Sequence, residues 1–327
     1  MVHLAVRGAW FALVFAALGF CAPAKAQGYP SKNVTIVVSI GAGTGMDVLV
    51  RVYAEKLQAV LGKPVVVENK PGAATMLAAQ QVATSPADGH TLVVLTSAAM
   101  AINQALYKQI NYSPENDFVP ISLYVKSPFI LVANPNLPFK TVPEFIKHAK
   151  EAKPPLNYAT VGAGALQHLS MEFAKQRFGF DATHVPYRQT GQSVTDLAAG
   201  HVAAGFVEAG ASIPLIQEGR LRALAVSASS PLPLLPDVPP FSVASGAPDF
   251  EAVSWHVLLA PAKTPKEIVD RLHKEITDLV QSPEISAQIR KLGADPLPMS
   301  VADFDAMIQR ELVENARLIK AAGIKAN

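Results

Sequence analysis

Hydrophobic positions along the chain fall into short unbroken runs and longer segments in which they recur every three or four residues. The run Val34–Val38 is apolar and rich in β-branched residues, which predicts a buried strand. From about Asp47 the helical spacing predicts a helix that ends at Gly62. The residues that recur at this spacing are Leu49, Val50, Tyr53, Leu57, Val60 and Leu61.

The order of strand, turn and helix is then repeated. Residues 64–68 and 91–95 are predicted strands, and the alanine-rich residues 74–83 between them are a predicted helix. Strands that alternate with helices indicate an α/β fold, in which a largely parallel sheet carries helices on both faces.

The pattern changes at residues 119–133, where two β-rich runs, 121–125 and 129–133, are separated only by residues 126–128. We place the first crossing between two lobes there, and a second α/β unit follows. Its predicted helices are 142–152, Leu166–Phe178, 193–199 and 213–217, and its predicted strands are Leu156–Thr160, 183–185, 203–207 and 223–226.

The chain is predicted to return to the first lobe near residues 251–259. Before that point, residues 231–240 contain too many prolines for a helix or a sheet interior and are predicted to form an extended surface loop. Amphipathic helices are predicted at residues 265–281 and 301–321. Lobe 1 should therefore comprise residues 27–125 and 253–327, lobe 2 should comprise residues 126–252, and two crossover strands should join them.

The N-terminal residues have the pattern of a secretory signal peptide. A short apolar run, residues 9–21, follows Arg7 and leads to Ala24-Lys25-Ala26, which predicts cleavage after Ala26 and export to the periplasm. A lipoprotein anchored at Cys21 is an alternative, although Phe20 is bulky where such sites usually have a small residue.

Removal of residues 1–26 changes the charge and the cysteine content. The formal charge of +2 rests on 28 basic and 26 acidic residues, and two of the basic residues, Arg7 and Lys25, leave with the signal peptide. A neutral mature chain argues against nucleic acid or an anionic membrane surface as a partner. Cys21 is the only cysteine, so the mature chain has no disulfide and no thiol chemistry.

Two glycine-rich turns have the same position between a strand and a helix. They read Gly41-Ala42-Gly43-Thr44-Gly45 and Gly162-Ala163-Gly164. Free N–H groups at a helix N-terminus bind anions, and ligands of open α/β sheets bind at the carboxyl ends of the strands. If the two lobes face each other, both turns line one cleft that suits a small anion. Each turn taken alone could equally be a packing device.

Individual residues in these turns have alternative interpretations. A dinucleotide site is a poor fit because Met46 stands where a third small residue is needed. Asp47 is predicted to be an N-cap or first-turn residue rather than a catalytic acid. His168 could be a core or surface histidine or a ligand contact, and Glu208 could be a solvated carboxylate at the cleft rim or a ligand partner.

Motifs of enzyme chemistry are not found in the sequence. The chain has no GxSxG, no HExxH, no Walker lysine and no Cys/His cluster. We therefore predict a protein that is not an enzyme and has no catalytic residues, no metal and no cofactor. An exported hydrolase or transferase remains an alternative, and it would need a nucleophile and a base that converge in the cleft.

Several dispersed motifs run in order through the mature chain. They are PVVVENKPGA at residues 64–73, ADGHTL at 87–92, DFVPISL at 117–123, HVPY at 184–187, GRLRALAV at 219–226 and LPDVP at 235–239. In these motifs the chain resembles the periplasmic solute-binding proteins of tripartite tricarboxylate transporters, known as Bug or TctC-type receptors. The resemblance covers essentially the whole mature chain.

This resemblance implies a two-lobed periplasmic binding protein of the Venus-flytrap, type II-like class. Such a receptor is a monomer that closes on a small organic acid (a dicarboxylate, a tricarboxylate or an aromatic acid) and delivers it to integral membrane permease subunits. An alternative is a sensor role, in which the closed receptor docks on a histidine-kinase ectodomain.

The resemblance also implies a set of ligand-binding residues. The first turn is expected to hold one ligand carboxylate through its backbone, and the second turn is expected to approach the ligand with the start of the following helix. The residues implied are Ile40, Gly43, Thr44, Gly45, Ser97, Thr160, Gly162, Gly164, Ala165, His168, Tyr187 and Glu208.

The first turn departs from the common family pattern. Ile40 stands where phenylalanine is usual, and Met46 and Ala165 stand where the family usually has a hydroxyl, although Thr44 adds one nearby. Because two candidate donors are lost, we expect a ligand with a larger apolar body, such as an aromatic or medium-chain dicarboxylate, rather than citrate.

Overall fold

The structure is a computed structural model that describes residues 28–322 and residue 324. The predicted signal peptide and the alternative lipid anchor at Cys21 lie outside the described residues. Within the described part of the chain, no helix combines the length and the apolar character that a membrane span requires.

Strands and helices alternate through most of the chain. The strands are β1 Val34–Val38, β2 Val65–Asn69, β3 Thr91–Thr96, β4 Phe118–Ala133, β5 Leu156–Thr160, β6 Ala182–Pro186, β7 Ala204–Glu208, β8 Arg222–Val226, β9 Val253–Pro261 and β10 Asp295–Met299. The α-helices are α1 Gly45–Leu61, α2 Met76–Ala83, α3 Asn103–Leu106, α4 Val142–Glu151, α5 Leu166–Phe178, α6 Thr190–Ala199, α7 Ala209–Gln217, α8 Phe241–Ser245, α9 Lys266–Gln281, α10 Pro283–Lys291 and α11 Val301–Ala322. A 3₁₀ turn, Ala73–Thr75, precedes α2, and a π-helical turn, Ala98–Ile102, precedes α3.

The strands form a curled sheet with the order β2-β1-β3-β9-β4-β7-β5-β6, and β8 and β10 also pair with β4. β2, β1 and β3 are parallel, as are β7, β5 and β6, whereas β4 and β9 are antiparallel to their neighbours. We call the part with β1–β3, β9 and β10 lobe 1 and the part with β5–β8 lobe 2. The predicted two-lobed α/β fold is confirmed.

Strand β4 runs from lobe 1 into lobe 2 without a break. Its first part, from Phe118 to Pro128, pairs with β9, and its last part, from Phe129 to Ala133, pairs with β7. The predicted interruption at residues 126–128 was wrong. Pro128 pairs with Val253 inside the ladder, and one proline is tolerated in a strand where its missing N–H is not needed. Because the sheet is continuous, the lobe boundaries at residues 125/126 and 252/253 stay a prediction.

Both faces of the sheet are covered in each lobe. In β1, Ile36 packs towards α1 and α9, whereas Val37 faces the opposite side with residues of α2 and α11. In β7, Phe206 and Val207 are divided in the same way between two buried clusters. Apolar runs without polar alternation are what strands covered on both faces require.

Several element boundaries differ from the prediction for local reasons. Helix α1 begins at Gly45 rather than Asp47 because Thr44 is its N-cap, and α2 begins at Met76 because the three preceding residues have positive φ. Residues 98–106, α10 and β10 were not predicted; β10 contains Pro296 and Pro298, which obscure a strand pattern. Residues 231–240 form no helix or strand apart from isolated bridges, as predicted.

Candidate functional site

Loop 1, residues 39–44, connects β1 to α1. Thr44 Oγ1 donates to the Gly41 carbonyl at 2.9 Å and accepts from the Asp47 N–H at 3.3 Å, so this hydroxyl caps the helix. Gly43 has φ +80°, a conformation that favours glycine, and its N–H donates to Asp47 Oδ2 at 2.8 Å. The loop is thus fixed by two side chains of its own helix start.

Asp47 is buried and lies at the centre of a hydrogen-bond network. Asn69 Nδ2 donates to Asp47 Oδ1 at 2.8 Å and to the Ile40 carbonyl at 3.1 Å, and Arg51 Nε donates to Asp47 Oδ2 at 3.1 Å. Burial raises the pKa of Asp47, but the hydrogen bonds from Arg51, Gly43 and Asn69 outweigh burial and leave the pKa below its ordinary value. Asp47 is therefore an ionised first-turn residue, which is one of the two roles predicted for it.

This network determines which parts of loop 1 are open to a ligand. The N–H of Gly43, one of the predicted backbone donors, is bonded to Asp47, and contact of Gly43 with a ligand stays a prediction. The N–H groups of Thr44, Gly45 and Met46 have no acceptor within the described part of the chain. The Met46 side chain is buried in the lobe 1 core, so its replacement of a hydroxyl leaves the surface of the cleft unchanged.

Loop 2, residues 161–165, connects β5 to α5 in lobe 2. Gly164 has φ +76°, and its N–H donates to His168 Nδ1 at 3.0 Å. Ala165 is the N-cap and provides no side-chain cap. The N–H groups of Leu166, Gln167 and His168 consequently have no acceptor among residues 28–322.

His168 belongs to a stack of rings beneath loop 2. Its ring lies 4.1 Å from that of His184 at an angle of 7°, and Tyr158 stacks on His184 at 5.3 Å. His184 Nε2 lies 2.6 Å from Thr160 Oγ1, which also accepts from the Gly162 N–H at 3.1 Å. Thr160 and His168 are buried and hold loop 2, and their predicted contact with a ligand stays a prediction.

Burial is the main influence on the charge of His168. Burial, together with neighbouring His184 and Lys175, lowers the pKa of His168 to about 4, and Glu172 opposes this effect. His168 is therefore neutral at pH 7, as an Nδ1 that accepts from Gly164 requires.

Glu208 extends from the end of β7 in lobe 2 to the start of α1 in lobe 1. A Cβ built on Gly45 would lie 3.9 Å from Glu208 Oε1, and Ser127 Oγ donates to the same oxygen at 3.1 Å. Burial raises the pKa of Glu208, and the bond from Ser127 opposes this effect. Of the two predicted alternatives, this position favours a partner of the ligand over a solvated rim carboxylate.

A row of serines lies where the crossing strands meet the cleft. Ser97 is buried at the end of β3, and its Oγ lies 3.4 Å from Ser254 Oγ on β9. Ser254 pairs in turn with Ser127 on β4, which contacts Glu208. Contact of Ser97 with a ligand stays a prediction. Ser127 and Ser254 lie in the two segments predicted as crossings, but they were not predicted as site residues because the sequence does not show that these segments pair side by side.

Tyr187 and Ile40, which were also predicted to bind the ligand, have other contacts in the structure. The Tyr187 N–H donates to the Thr160 carbonyl at 2.8 Å, and its hydroxyl donates to Asp196 Oδ2 at 2.9 Å. Burial and the neighbouring Asp196 raise the pKa of Tyr187 to about 12. Ile40 packs against the lobe 1 core. Contact of either residue with a ligand stays a prediction.

The two lobes touch beside the loops. Leu106 of α3 contacts loop 2 so closely that a Cβ on Gly164 would overlap its side chain. A buried apolar cluster joins Leu106 and Ile319 of lobe 1 to Leu169 of lobe 2. No group of His, Cys, Asp or Glu side chains that could hold a metal occurs among the described residues.

Comparison with known proteins places this geometry in a family. Residues 49–324 match the tripartite tricarboxylate transporter family receptor, TctC. Protein BugT of Bordetella pertussis is 32% identical over 314 residues, which cover 96% of each chain.

Two solved structures have the same fold. The structure of Rpa4515 from R. palustris with adipate has a TM-score of 0.85 and 32% identity and covers 91% of this chain and 99% of that one. MatC (Rpa3494) from Rhodopseudomonas palustris with bound malate has a TM-score of 0.80 and 30% identity and covers 89% and 100%. The resemblance found in the sequence is thereby confirmed, and the chain belongs to the TctC family of tripartite tricarboxylate transporter receptors.

Proposed function

We propose that this protein is an extracytoplasmic solute receptor that binds a small carboxylate between its lobes. One observation carries the proposal: two strand-to-helix loops from different lobes both present first-turn N–H groups without an acceptor among the described residues. These groups belong to Gly45 at α1 and to Leu166 and Gln167 at α5. Carboxylates bind well at such helix starts because the N–H groups and the helix dipole both favour negative charge.

The comparisons support the ligand class. Relatives at 30–32% identity were solved with adipate and with malate, both of which carry two carboxylates. Ile40 and Ala165 give the two loops apolar side chains where the family usually has an aromatic ring and a hydroxyl. We therefore propose a medium-chain or aromatic dicarboxylate rather than citrate.

The ligand-contacting groups of this proposal come from both lobes and from the crossing strands. Loop 1 and loop 2 would approach opposite ends of the ligand, and the serine row would form the floor. The proposed contacts are Ile40, Gly43, Thr44, Gly45, Ser97, Thr160, Gly162, Gly164, Ala165, His168, Tyr187 and Glu208. Delivery to integral membrane permease subunits and location in the periplasm are proposed from membership of a transporter receptor family.

A thermal-shift screen of the purified chain lacking residues 1–26 tests the proposal. A ligand at 100 times its Kd stabilises the folded state by about 2.7 kcal/mol. We expect adipate and aromatic dicarboxylates to raise the Tm more than citrate at equal concentration. A screen in which no carboxylate raises the Tm would contradict the receptor proposal, and a larger shift with citrate would contradict the preference.

Trp255 provides a second measurement. The sequence has two tryptophans, Trp10 in the predicted signal peptide and Trp255 on β9, where Nε1 donates to Glu311 Oε1 at 2.6 Å. Because β9 is a crossing strand, we expect the fluorescence of Trp255 to change when a ligand closes the lobes. Replacement of Trp255 with Phe should abolish the signal and leave the thermal shift intact.

A further inference from the structure

The Glu208 carboxyl lies where the proposed function places a carboxylate of the ligand. A ligand carboxylate at the start of α1 would lie beside Gly45, where Glu208 Oε1 already approaches within 3.9 Å of a Cβ position. The ligand would therefore bring a second carboxyl group into contact with Glu208. Two carboxylates in contact in a partly buried site are not both ionised; they share a proton.

The positively charged side chains on the elements next to Glu208 form hydrogen bonds or ion pairs with other residues. On α1, Arg51 is bonded to Asp47 and to Asn69. On β4, Lys126 is paired with Glu251 at 3.2 Å. The contact that the structure gives to the Glu208 carboxyl is the Ser127 hydroxyl, which is neutral. Among the described residues, Glu208 has no ion pair that would offset its repulsion from a ligand carboxylate, and the α1 N-terminus offers only partial positive charge.

We propose that Glu208 couples ligand binding to the uptake of one proton from solvent, which the Glu208 carboxyl and the ligand carboxylate at loop 1 then share. This inference rests on the proposed function and specifies its chemistry. The receptor takes a dicarboxylate dianion together with a proton, so the bound pair carries one negative charge less than two separate carboxylates. The raised pKa of free Glu208 is in the direction that assists this uptake.

Glu208 also becomes a specificity-determining residue. The ligand end that faces loop 1 must either accept a shared proton or bring a hydrogen-bond donor of its own. A third carboxylate, as in citrate, would add negative charge beside Glu208, whose contact in the described part of the chain is the neutral Ser127 hydroxyl. The preference for a dicarboxylate over citrate then has an electrostatic reason as well as an apolar one.

Titration calorimetry with adipate between pH 6.5 and 8.5 tests the coupling. Adipate is fully ionised over most of this range, so a pH dependence reports the protein. We expect the Kd to rise by up to about tenfold per pH unit, as the linkage of one proton to binding requires. Titrations in phosphate and in Tris, which differ in ionisation enthalpy, should show uptake approaching one proton per adipate at the upper end of the range.

Two variants test whether Glu208 is the group that takes up the proton. Glu208→Gln keeps the size of the side chain and offers an amide N–H to the ligand, so adipate should bind with a pH-independent Kd and without proton uptake. Glu218→Gln, at the exposed end of α7, is the matched control and should retain the wild-type slope. The wild-type proton uptake tests the coupling by itself if Glu208→Gln does not fold.

The outcomes separate the two proposals. Adipate binding with a constant Kd and no proton exchange would overturn the coupling and leave the receptor function standing. A slope that persists in Glu208→Gln would assign the proton to another group and would also overturn the inference. Failure of adipate and every other dicarboxylate to bind at any pH would overturn the proposed function and the inference together.

Discussion

Loops 1 and 2 are built on the same backbone device. In each, a glycine with positive φ donates its N–H to the side chain four residues ahead, in the first turn of the following helix. Gly43 donates to Asp47 at 2.8 Å, and Gly164 donates to His168 at 3.0 Å. The shared device explains why both turns present the start of their helix to the cleft.

The two loops differ in the chemistry that holds them. Asp47 is ionised and is supported by Arg51 and Asn69, whereas His168 is neutral and is supported by the ring of His184. The protein therefore places an anion of its own at the start of α1 and none at the start of α5. We expect loop 2 to attract a ligand carboxylate more strongly than loop 1 does. At loop 1, Glu208 makes binding depend on the chemical group at the other end of the ligand.

The largest effect is expected from Asp47→Ala. The change leaves Gly43, Asn69 and Arg51 without their common acceptor, which should lower the free energy of unfolding by about 2–4 kcal/mol. Urea denaturation measures the loss. Asp270→Ala, which removes an exposed partner of Lys266, should change stability by less than about 0.5 kcal/mol. Equal effects of the two changes would show that loop 1 does not depend on the Asp47 network.

The second prediction concerns pH, because only loop 2 depends on a neutral histidine. Burial holds the pKa of His168 at about 4 against 6.5 in the unfolded chain. Between these values the unfolded chain binds a proton that the folded one does not, so stability falls as pH falls, by up to about 3 kcal/mol. The contribution of Asp47, whose pKa is lowered, is retained in this window and is lost only at more acidic pH.

His168→Gln tests this prediction because it removes the titrating ring and leaves an acceptor for Gly164. Urea denaturation at pH 7 and at pH 4.5 should show a smaller loss of stability in the variant than in the wild type. His256, whose pKa burial also lowers, titrates in both proteins and cancels in the comparison. His184 stacks on His168, so the measured difference reports the two rings as a pair. Identical losses would show that loop 2 does not depend on neutral His168.

The third prediction compares the two glycines directly. Alanine at Gly43 or at Gly164 should cost about 1 kcal/mol of stability because both positions have left-handed φ. A Cβ meets nothing within 4 Å at Gly43, but at Gly164 it overlaps Leu106 of the other lobe. Gly164→Ala should therefore also weaken adipate binding roughly tenfold, and Leu106→Ala in the same chain should restore it. Equal adipate affinity of the two single variants would contradict the contact between the lobes.

The smallest effect is expected from removing the side-chain cap of α1 and adding one to α5. Thr44→Ala removes the hydroxyl that accepts from Asp47 N–H and should cost about 1 kcal/mol, whereas Ala165→Ser should gain a few tenths of a kcal/mol or more. Urea denaturation of both variants measures the difference. A loss in the serine variant would show that loop 2 is not open to a cap.

Much of the fold follows from local sequence pattern. Helix α5 has the predicted bounds, Leu166–Phe178, because helical spacing and Gly179 mark it clearly. The helical spacing of α1 also predicts where Met46 lies. Met46 is one turn before Leu49 and Val50, so it faces the core with them. The expectation that Met46 takes the place of a donor at the cleft was therefore wrong.

The rest of the site depends on contacts between residues distant in sequence. Glu208 and Gly45, Leu106 and Gly164, and the serine row meet only because the sheet register and the packing of the lobes bring them together. Hydrophobic periodicity defines which face of an element is buried, but it does not define which loop of the other lobe that element approaches. The glycine turns were predictable, and their long-range partners were not.

The place of β9 in the sheet also affects the order in which the chain can fold. β9 lies between β3 and β4, so lobe 1 lacks an inner strand until residue 261 has been synthesised. The strands β5 to β8 and the last part of β4, by contrast, are contiguous in sequence. We expect lobe 2 to acquire protection first in pulsed hydrogen exchange, and earlier protection of β1 and β3 would contradict this order. A chain that ends before β9 would then have a folded lobe 2 and an unfolded lobe 1.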